Sequence, residues 1–337
     1  MSLRKILLYS GLFLPLLSAP AQALQVVASV KPLQLLSAAL LDGISEPGLL
    51  VPTDASVHNY VLKPSDMRGL VAADLVIWVG PELELFLGKA LQKTDARLLQ
   101  LGTADAAVPA AESDHDHDHD HDHDHDDTAG HDDTAGHDDH EGHDEHADHD
   151  EHGDQGEESE HAHNHGEDAH LWMDPQLMLA GAQRLQHMLT EIAPEHGDRL
   201  AANYARFAAS LQAQDDRLQQ QLAPLADRGF FVFHDAYGHF VGHYGLKQLG
   251  YFTVDPSRPP GARHLSDIRR QLEANDAVCV FSEPQFRANV VNSVTQGTGV
   301  RHGELDPLAR DFAPGPDAYV DYLSSLAKSF VDCLAEE

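Results

Sequence analysis

Residues 25–43 read QVVASVKPLQLLSAALLDG, a short apolar run followed by an amphipathic one. The run from Gln25 to Val30 predicts a buried strand, because it is short and apolar. Residues 32–41 predict a helix, which Gly43 ends. A strand that leads directly into a helix is the repeating unit of α/β folds.

The same order of strand and helix repeats along the chain. Apolar strands that alternate with helices are typical of a mostly parallel sheet covered by helices. We therefore predict an α/β fold of two similar lobes, each a mostly parallel sheet flanked by helices, with a cleft between them. Further strands are predicted at residues 48–51, 75–79, 97–101, 229–233, 251–254, 277–281 and 300–305. Further helices are predicted at residues 63–73, 82–93, 237–244, 265–274, 288–296 and 317–334.

A long helical region separates the two halves of the chain. Asp174 followed by Pro175 is a favourable helix start, and Pro194 interrupts the helical pattern. We predict that the second of these helices, which is long for a globular protein, joins the lobes. The predicted divisions are an N-terminal lobe at 24–194, a connecting helix at 195–223 and a C-terminal lobe at 224–337.

The first 23 residues resemble a cleavable export signal. Arg4 and Lys5 precede a mostly apolar run of residues 6–17, and the segment ends in the small-residue pattern at residues 21–23. The apolar run is too short to span a bilayer stably. We predict a soluble, exported mature chain that begins at Leu24 and does not insert into the membrane.

The chain is strongly acidic, and the acidity is concentrated in one segment. The formal net charge is −33, from 22 Lys and Arg against 55 Asp and Glu. Residues 114–165 hold 22 of the acidic residues and 16 of the 25 histidines. This balance excludes a nucleic-acid binder that neutralises phosphates, and it disfavours docking to anionic lipid.

The segment 114–165 is an insert of low complexity. His and Asp alternate strictly from His115 to His125, and the block DDTAGH occurs twice, at 126–131 and 132–137. With almost nothing to bury, the insert is predicted to be disordered without ligand. Its closely spaced imidazoles and carboxylates predict low-affinity metal binding. The predicted ligands include the strictly alternating histidines His115, His117, His119, His121, His123 and His125.

Two cysteines remain, Cys279 and Cys333. In an exported chain they are predicted to form a disulfide. Two thiols cannot build a four-cysteine zinc site, so a metal site in this chain has to use histidine and carboxylate ligands.

Three histidines stand at the ends of predicted elements. His58 follows the strand that ends at Val51, His170 lies just after the insert, and His234 ends an apolar strand. Neutral imidazole suits zinc, copper, nickel or iron better than magnesium or calcium. Taken alone, each of these residues is more often a buried, hydrogen-bonded histidine, and spacing alone does not show that the three converge.

Five motifs surround these histidines and extend the pattern to the C-terminal lobe. They are His58-Asn59-Tyr60 with Lys63-Pro64-Ser65-Asp66, His170-Leu171-Trp172-Met173-Asp174-Pro175, Phe233-His234-Asp235-Ala236-Tyr237-Gly238, Ser282-Glu283-Pro284-Gln285-Phe286 and Leu305-Asp306-Pro307-Leu308. Together with the insert before the second histidine, they resemble the zinc-specific periplasmic solute-binding proteins of bacterial ABC transporters. These are the ZnuA-like members of the metal-binding cluster A-I family, and the resemblance covers nearly the whole mature chain.

The resemblance implies two α/β lobes joined by a long, rigid helix, with a zinc site between the lobes. Its metal-binding histidines correspond to His58, His170 and His234, and its manganese-binding relatives place a carboxylate where His234 stands. Some zinc-binding members carry a glutamate where this chain has Val57, so the fourth ligand is expected to be Asp306 or a water. Asp235 and Glu283 are expected to orient the imidazoles.

The resemblance also implies a function. The expected protein is a periplasmic monomer that captures Zn²⁺ and delivers it to an inner-membrane ABC permease, without catalysis. Three other hypotheses are a manganese receptor, a zinc buffer or chaperone, and a zinc hydrolase, although the sequence has neither His-Glu-x-x-His nor Gly-x-Ser-x-Gly. His239 and His243, four apart on a predicted helix, are a possible second metal pair or a solvated helix face.

Overall fold

A computed structural model describes residues 23–102, 168–254, 256, 258–274, 276–286 and 289–335. The predicted signal peptide, apart from Ala23, and the histidine-rich insert lie outside the described residues. All of the described residues belong to one compact unit.

The N-terminal half forms a four-stranded parallel sheet. Its strands are β1 (Val26–Ala28), β2 (Gly48–Leu49), β3 (Leu75–Trp78) and β4 (Arg97–Gln100), in the order β2-β1-β3-β4. The helices of this half are α1 (Lys31–Leu40), α2 (Pro64–Ala72) and the single turn α3 (Gly88–Leu91). Every side chain of β3 is buried, as expected for a strand covered on both faces.

The C-terminal half repeats this topology. Its strands are β5 (Phe230–His234), β6 (Gln248–Thr253), β7 (Cys279–Ser282) and β8 (Arg301–Glu304), parallel and in the order β6-β5-β7-β8. Its helices are α6 (Gly238–Tyr244), α7 (Ala262–Glu273), α8 (Asn289–Thr295) and α9 (Ala318–Leu334). Two parallel sheets with the same strand order confirm the predicted α/β class with two similar halves.

Two long helices stand between the sheets in the sequence. Helix α4 (Pro175–Ile192) starts where predicted, because the Asp174 carboxylate accepts hydrogen bonds from the backbone N–H groups of Gln176 and Leu177. Helix α5 (Gly197–Leu222) has 26 residues and follows the break at Pro194. It packs against α1, α4 and α9, so it contacts helices of both halves along its buried face.

The predicted helix at 82–93 is wrong over its first half. Residues 85–87 form a 3₁₀ turn before the short α3. The cause is tertiary: the buried Glu84 carboxylate accepts hydrogen bonds from the backbone N–H groups of Val79 and Gly80, at 2.8 and 3.1 Å. These bonds fold the chain back onto the end of β3, and a continuous helix from residue 82 would not allow them.

The predicted disulfide between Cys279 and Cys333 is confirmed. It joins β7 to α9, with 6.0 Å between the two Cα atoms, and both residues are buried. The last helix is therefore covalently tied to the second sheet. Within the part of the chain that the structure describes, no helix is both long and apolar enough to span a membrane.

Candidate metal centre

The three predicted histidines come together at the carboxyl ends of the two sheets. His58 lies in the loop after β2, His170 just before the 3₁₀ turn at Leu171–Met173, and His234 is the last residue of β5. One ring nitrogen from each lies within 4.8 Å of the others. His170 and His234 are 5% and 3% exposed, so the site is largely withdrawn from solvent.

A carboxylate fixes the ring of His170. The Asp168 carboxylate accepts hydrogen bonds from both the ring Nδ1 and the backbone N–H of His170, at 2.7 and 2.9 Å. Because a carboxylate accepts from Nδ1–H, the Nε2 atom of His170 keeps its lone pair. Asp168 was not predicted from the sequence, because it follows an acidic, histidine-rich segment in which it does not stand out.

Glu283 plays the same part for His234. Its Oε1 accepts from Nδ1 of His234 at 2.6 Å and from the Tyr237 hydroxyl at 3.2 Å. The hydrogen bond holds the ring so that Nε2 faces the other histidines. Carboxylate partners of this kind fix the tautomer and the basicity of metal-binding imidazoles.

The two buried Nε2 atoms face each other. Nε2 of His170 lies 3.3 Å from Nε2 of His234. In both rings Nδ1 donates to a carboxylate and therefore carries the proton. The lone pairs of the two Nε2 atoms thus point at one another in a buried place. Such an arrangement is repulsive unless a cation lies between the nitrogens.

The electrostatics favour the neutral form of the His170 imidazole and the charged form of the Asp168 carboxylate. Burial lowers the pKa of His170, although the hydrogen bond to Asp168 opposes that effect. Burial acts to raise the pKa of Asp168, but the hydrogen bonds that His170 donates outweigh it, and this pKa is lowered to about 2. Neutral imidazole is the form that binds metal ions.

Asp306 stands outside the histidine cluster. Its Oδ1 accepts from Gln285 Nε2 at 2.5 Å and from the backbone N–H of Leu308 at 3.0 Å, and its Oδ2 accepts from the N–H of Arg310 at 2.6 Å. Gln285 and Leu308 also line the cavity of about 20 Å³ beside the histidines. That volume is enough for one water-sized group.

The other predicted residues have separate partners. The Asp235 carboxylate accepts a hydrogen bond from Gln248 at 3.3 Å. The carboxylates hydrogen-bonded to the rings of His170 and His234 are those of Asp168 and Glu283. His239 donates to the carbonyl of Asp168, and Nε2 of His243 lies 2.7 Å from the Asp215 carboxylate. Among the described residues, His58, His170 and His234 are the one group of three or more such side chains with metal-site spacing, and His239 and His243 are not part of it.

The sequence has well-defined relatives. Residues 26–333 match the family profile described as "Zinc-uptake complex component A periplasmic". The chain belongs to this ZnuA family. It is similar to the high-affinity zinc uptake system protein ZnuA of Haemophilus influenzae, with 42% identity over 99% of this chain and 100% of the relative. The Yersinia pestis protein of the same name is 39% identical over 92% and 91% of the two chains.

Solved structures show the same fold. A crystal structure of ZnuA superposes with a TM-score of 0.69 at 21% identity, covering 93% of this chain and all of the other. The laminin-binding protein Lmb of Streptococcus agalactiae, described as having adhesin and metal-transporting activity, gives a TM-score of 0.68 at 17% identity over 93% of this chain and all of the other. These likenesses establish the shared architecture.

Proposed function

We propose that this protein is a periplasmic receptor that captures Zn²⁺ and delivers it to an ABC-type permease for uptake. Membership of the ZnuA family and the names of relatives at 42% and 39% identity support this proposal. In this proposal the lobes at 24–194 and 224–337 are joined by the connector at 195–223, and a monomer presents both lobes to the permease.

The distance between two imidazole nitrogens is the observation that carries the zinc assignment. Zinc binds histidine nitrogen at about 2.0–2.1 Å in tetrahedral geometry, which places two ligand nitrogens about 3.3 Å apart. The Nε2 atoms of His170 and His234 are 3.3 Å apart. A zinc ion between them would remove the repulsion of their lone pairs, and His58 would supply the third nitrogen.

The donor set favours zinc over manganese. Three neutral imidazoles suit zinc, whereas manganese prefers carboxylate, carbonyl and water oxygens. The carboxylates Asp168 and Glu283 offset the charge of the ion through the imidazoles without occupying coordination positions. We propose that the fourth position is taken by water or by Asp306, which would have to give up a present hydrogen bond.

The proposed role is binding and release, without catalysis. The carboxylates of Asp168 and Glu283 each accept an imidazole N–H, so their placement serves to orient ligands. The proposed cycle begins when zinc reaches the cleft and binds the three histidines. Contact with the permease would then open the cleft and release the ion.

Metal content tests this function directly. The protein is expressed and exported in medium that contains equal zinc and manganese, and its metal is measured after removal of weakly held ions with a mild chelator. We expect close to one zinc per chain and almost no manganese. Retention of manganese instead, or of neither metal, would contradict the proposal.

A further inference from the structure

Helix α6 connects two of the proposed zinc ligands. It begins four residues after His234, and it packs against the 3₁₀ turn that follows His170. The Nε2 atom of His239, on the first turn of α6, lies 2.7 Å from the backbone carbonyl of Asp168. A carbonyl can only accept, so Nε2 of His239 carries the proton and donates it.

The acceptor of this bond is the residue that orients His170. The backbone carbonyl of Asp168 accepts a hydrogen bond from His239. The Asp168 carboxylate accepts hydrogen bonds from the ring and the backbone N–H of His170. A continuous chain of hydrogen bonds therefore runs from α6 in the C-terminal half to a histidine of the N-terminal half. No atom of His239 needs to reach the metal for it to affect the position of His170.

The contact between α6 and Asp168 is close. A Cβ atom added at Gly238 would lie 2.8 Å from Oδ2 of Asp168, so a larger residue would push the carboxylate away. The last turn of α6 is held separately, because Nε2 of His243 lies 2.7 Å from Oδ1 of Asp215 on α5. The helix is thus fixed at both ends, and His239 projects from a fixed position.

We propose that His239 is a positioning residue for zinc capture: it holds Asp168 in place across the two halves, and so aligns His170 with His234. This inference rests on the proposed zinc-binding function and extends it to a residue outside the ligand set. Without the His239 hydrogen bond, the loop at Asp168 would sample more positions. Zinc binding by His170 would then cost more conformational entropy.

Three variants of the full mature protein test the proposal. His239→Leu removes the donor, whereas His239→Gln keeps an N–H donor at similar reach. His264→Leu is the matched control, because His264 also donates from Nε2 to a carbonyl, that of Tyr251, at 2.7 Å but on an exposed surface. Zinc affinity is measured against a competing chelator, and the release rate by chelator capture in stopped flow.

We expect about tenfold weaker affinity and about tenfold faster release for His239→Leu, as is usual when an outer contact of a metal ligand is lost. His239→Gln should stay within about threefold of the wild type, and His264→Leu should match it. Thermal unfolding of the metal-free proteins should differ little among the variants, since the effect is on ligand alignment.

Two results would overturn the inference. One is wild-type affinity and release in His239→Leu. The other is equal loss in His239→Leu and His239→Gln together with a matching loss of metal-free stability, which would indicate a purely structural contact. Failure of the zinc receptor function itself would look different, because the wild-type protein would then lack a tight zinc site.

Discussion

At the scale of single residues, two carboxylates prepare the site as much as its histidines do. Asp168 and Glu283 each accept the Nδ1–H of one imidazole, which leaves both Nε2 atoms facing the same point. Neither acid has to touch the metal to matter. Substitutions of Asp168 and Glu283 that keep the hydrogen-bond acceptor but remove the charge should therefore weaken zinc binding without removing a zinc ligand.

Replacing Glu283 by Gln should weaken zinc binding while leaving the fold intact. The amide oxygen can still accept from His234, but the negative charge that strengthens the imidazole as a ligand is lost. We expect a loss of about 10- to 100-fold in zinc affinity, measured by chelator competition. The control is Glu304→Gln, an exposed change on the neighbouring strand. Unchanged affinity in Glu283→Gln would refute the role given to this carboxylate.

Another buried acid, Glu84, should make the stability of the protein depend on pH. Burial raises the pKa of Glu84 to about 7 from its ordinary value of 4.5, despite hydrogen bonds from the backbone N–H groups of Gly80 and Val79. The folded protein therefore binds this proton more tightly than the unfolded chain. Its stabilising effect is full below pH 4.5 and is lost as the pH rises through 7.

The variant Glu84→Gln should remove this dependence, because glutamine imitates the protonated acid. At pH 8 we expect the metal-free variant to gain stability relative to wild type by about 2–3 kcal/mol more than it does at pH 5. Urea unfolding at both pH values, with chelator present, measures the difference. A constant offset between the two proteins would show that Glu84 titrates normally.

At the scale of elements, local pattern predicted most strands and helices, and tertiary contacts account for the failures. The alternation of apolar and amphipathic runs placed both sheets, and Asp174 with Pro175 placed the start of α4 correctly. The helix predicted at 82–93 failed because Glu84 turns its carboxylate inward to the end of β3. Strand β6 starts at Gln248 rather than at 251. Its first residues are only partly buried, so no continuous apolar run marks them in the sequence.

Part of the metal centre could likewise be predicted from the sequence, and part of it could not. His58, His170 and His234 could be selected because each stands at the end of an element, within a motif of a known family. Asp168 could not be selected, because it follows an acidic, histidine-rich segment in which one more aspartate carries no signal. Its role depends on the folded distance to the His170 ring, which sequence spacing does not report.

The disulfide between β7 and α9 should contribute to the free energy of unfolding. It closes a loop with a sequence separation of 54. The chain-entropy account assigns a loop of this size roughly 4 kcal/mol, and measured values are commonly 2–4 kcal/mol. We expect the double variant Cys279→Ser, Cys333→Ser to lose about that much free energy of unfolding in urea. A loss below about 0.5 kcal/mol would show that packing of α9 alone holds the helix in place.

At the scale of the whole molecule, the 26-residue helix α5 contacts helices from both halves, so we expect only modest closure on zinc binding. The histidine-rich insert at 114–165 is expected to add a separate function, as a collector of weakly held zinc. The two kinds of site should differ in affinity, number and response to pH.

Deleting residues 114–165 should remove several weak zinc equivalents and leave the tight one. The weak sites should fade between about pH 7 and pH 5.5, as histidines of ordinary pKa become protonated. Titration of full-length and deleted protein at both pH values, against a competing chelator, compares the two. If deletion abolished the tight site, the insert would have to supply a cleft ligand, and the role of His170 would need revision.

The central claim is that one zinc ion binds between the two halves on His58, His170 and His234. Anomalous scattering from zinc-loaded crystals, recorded on both sides of the zinc absorption edge, tests it most directly. We expect a strong zinc peak about 2.0–2.1 Å from a ring nitrogen of each histidine, with Nε2 as the ligand atom of His170 and His234. A principal peak elsewhere, or one that lacks two of these three nitrogens, would contradict it.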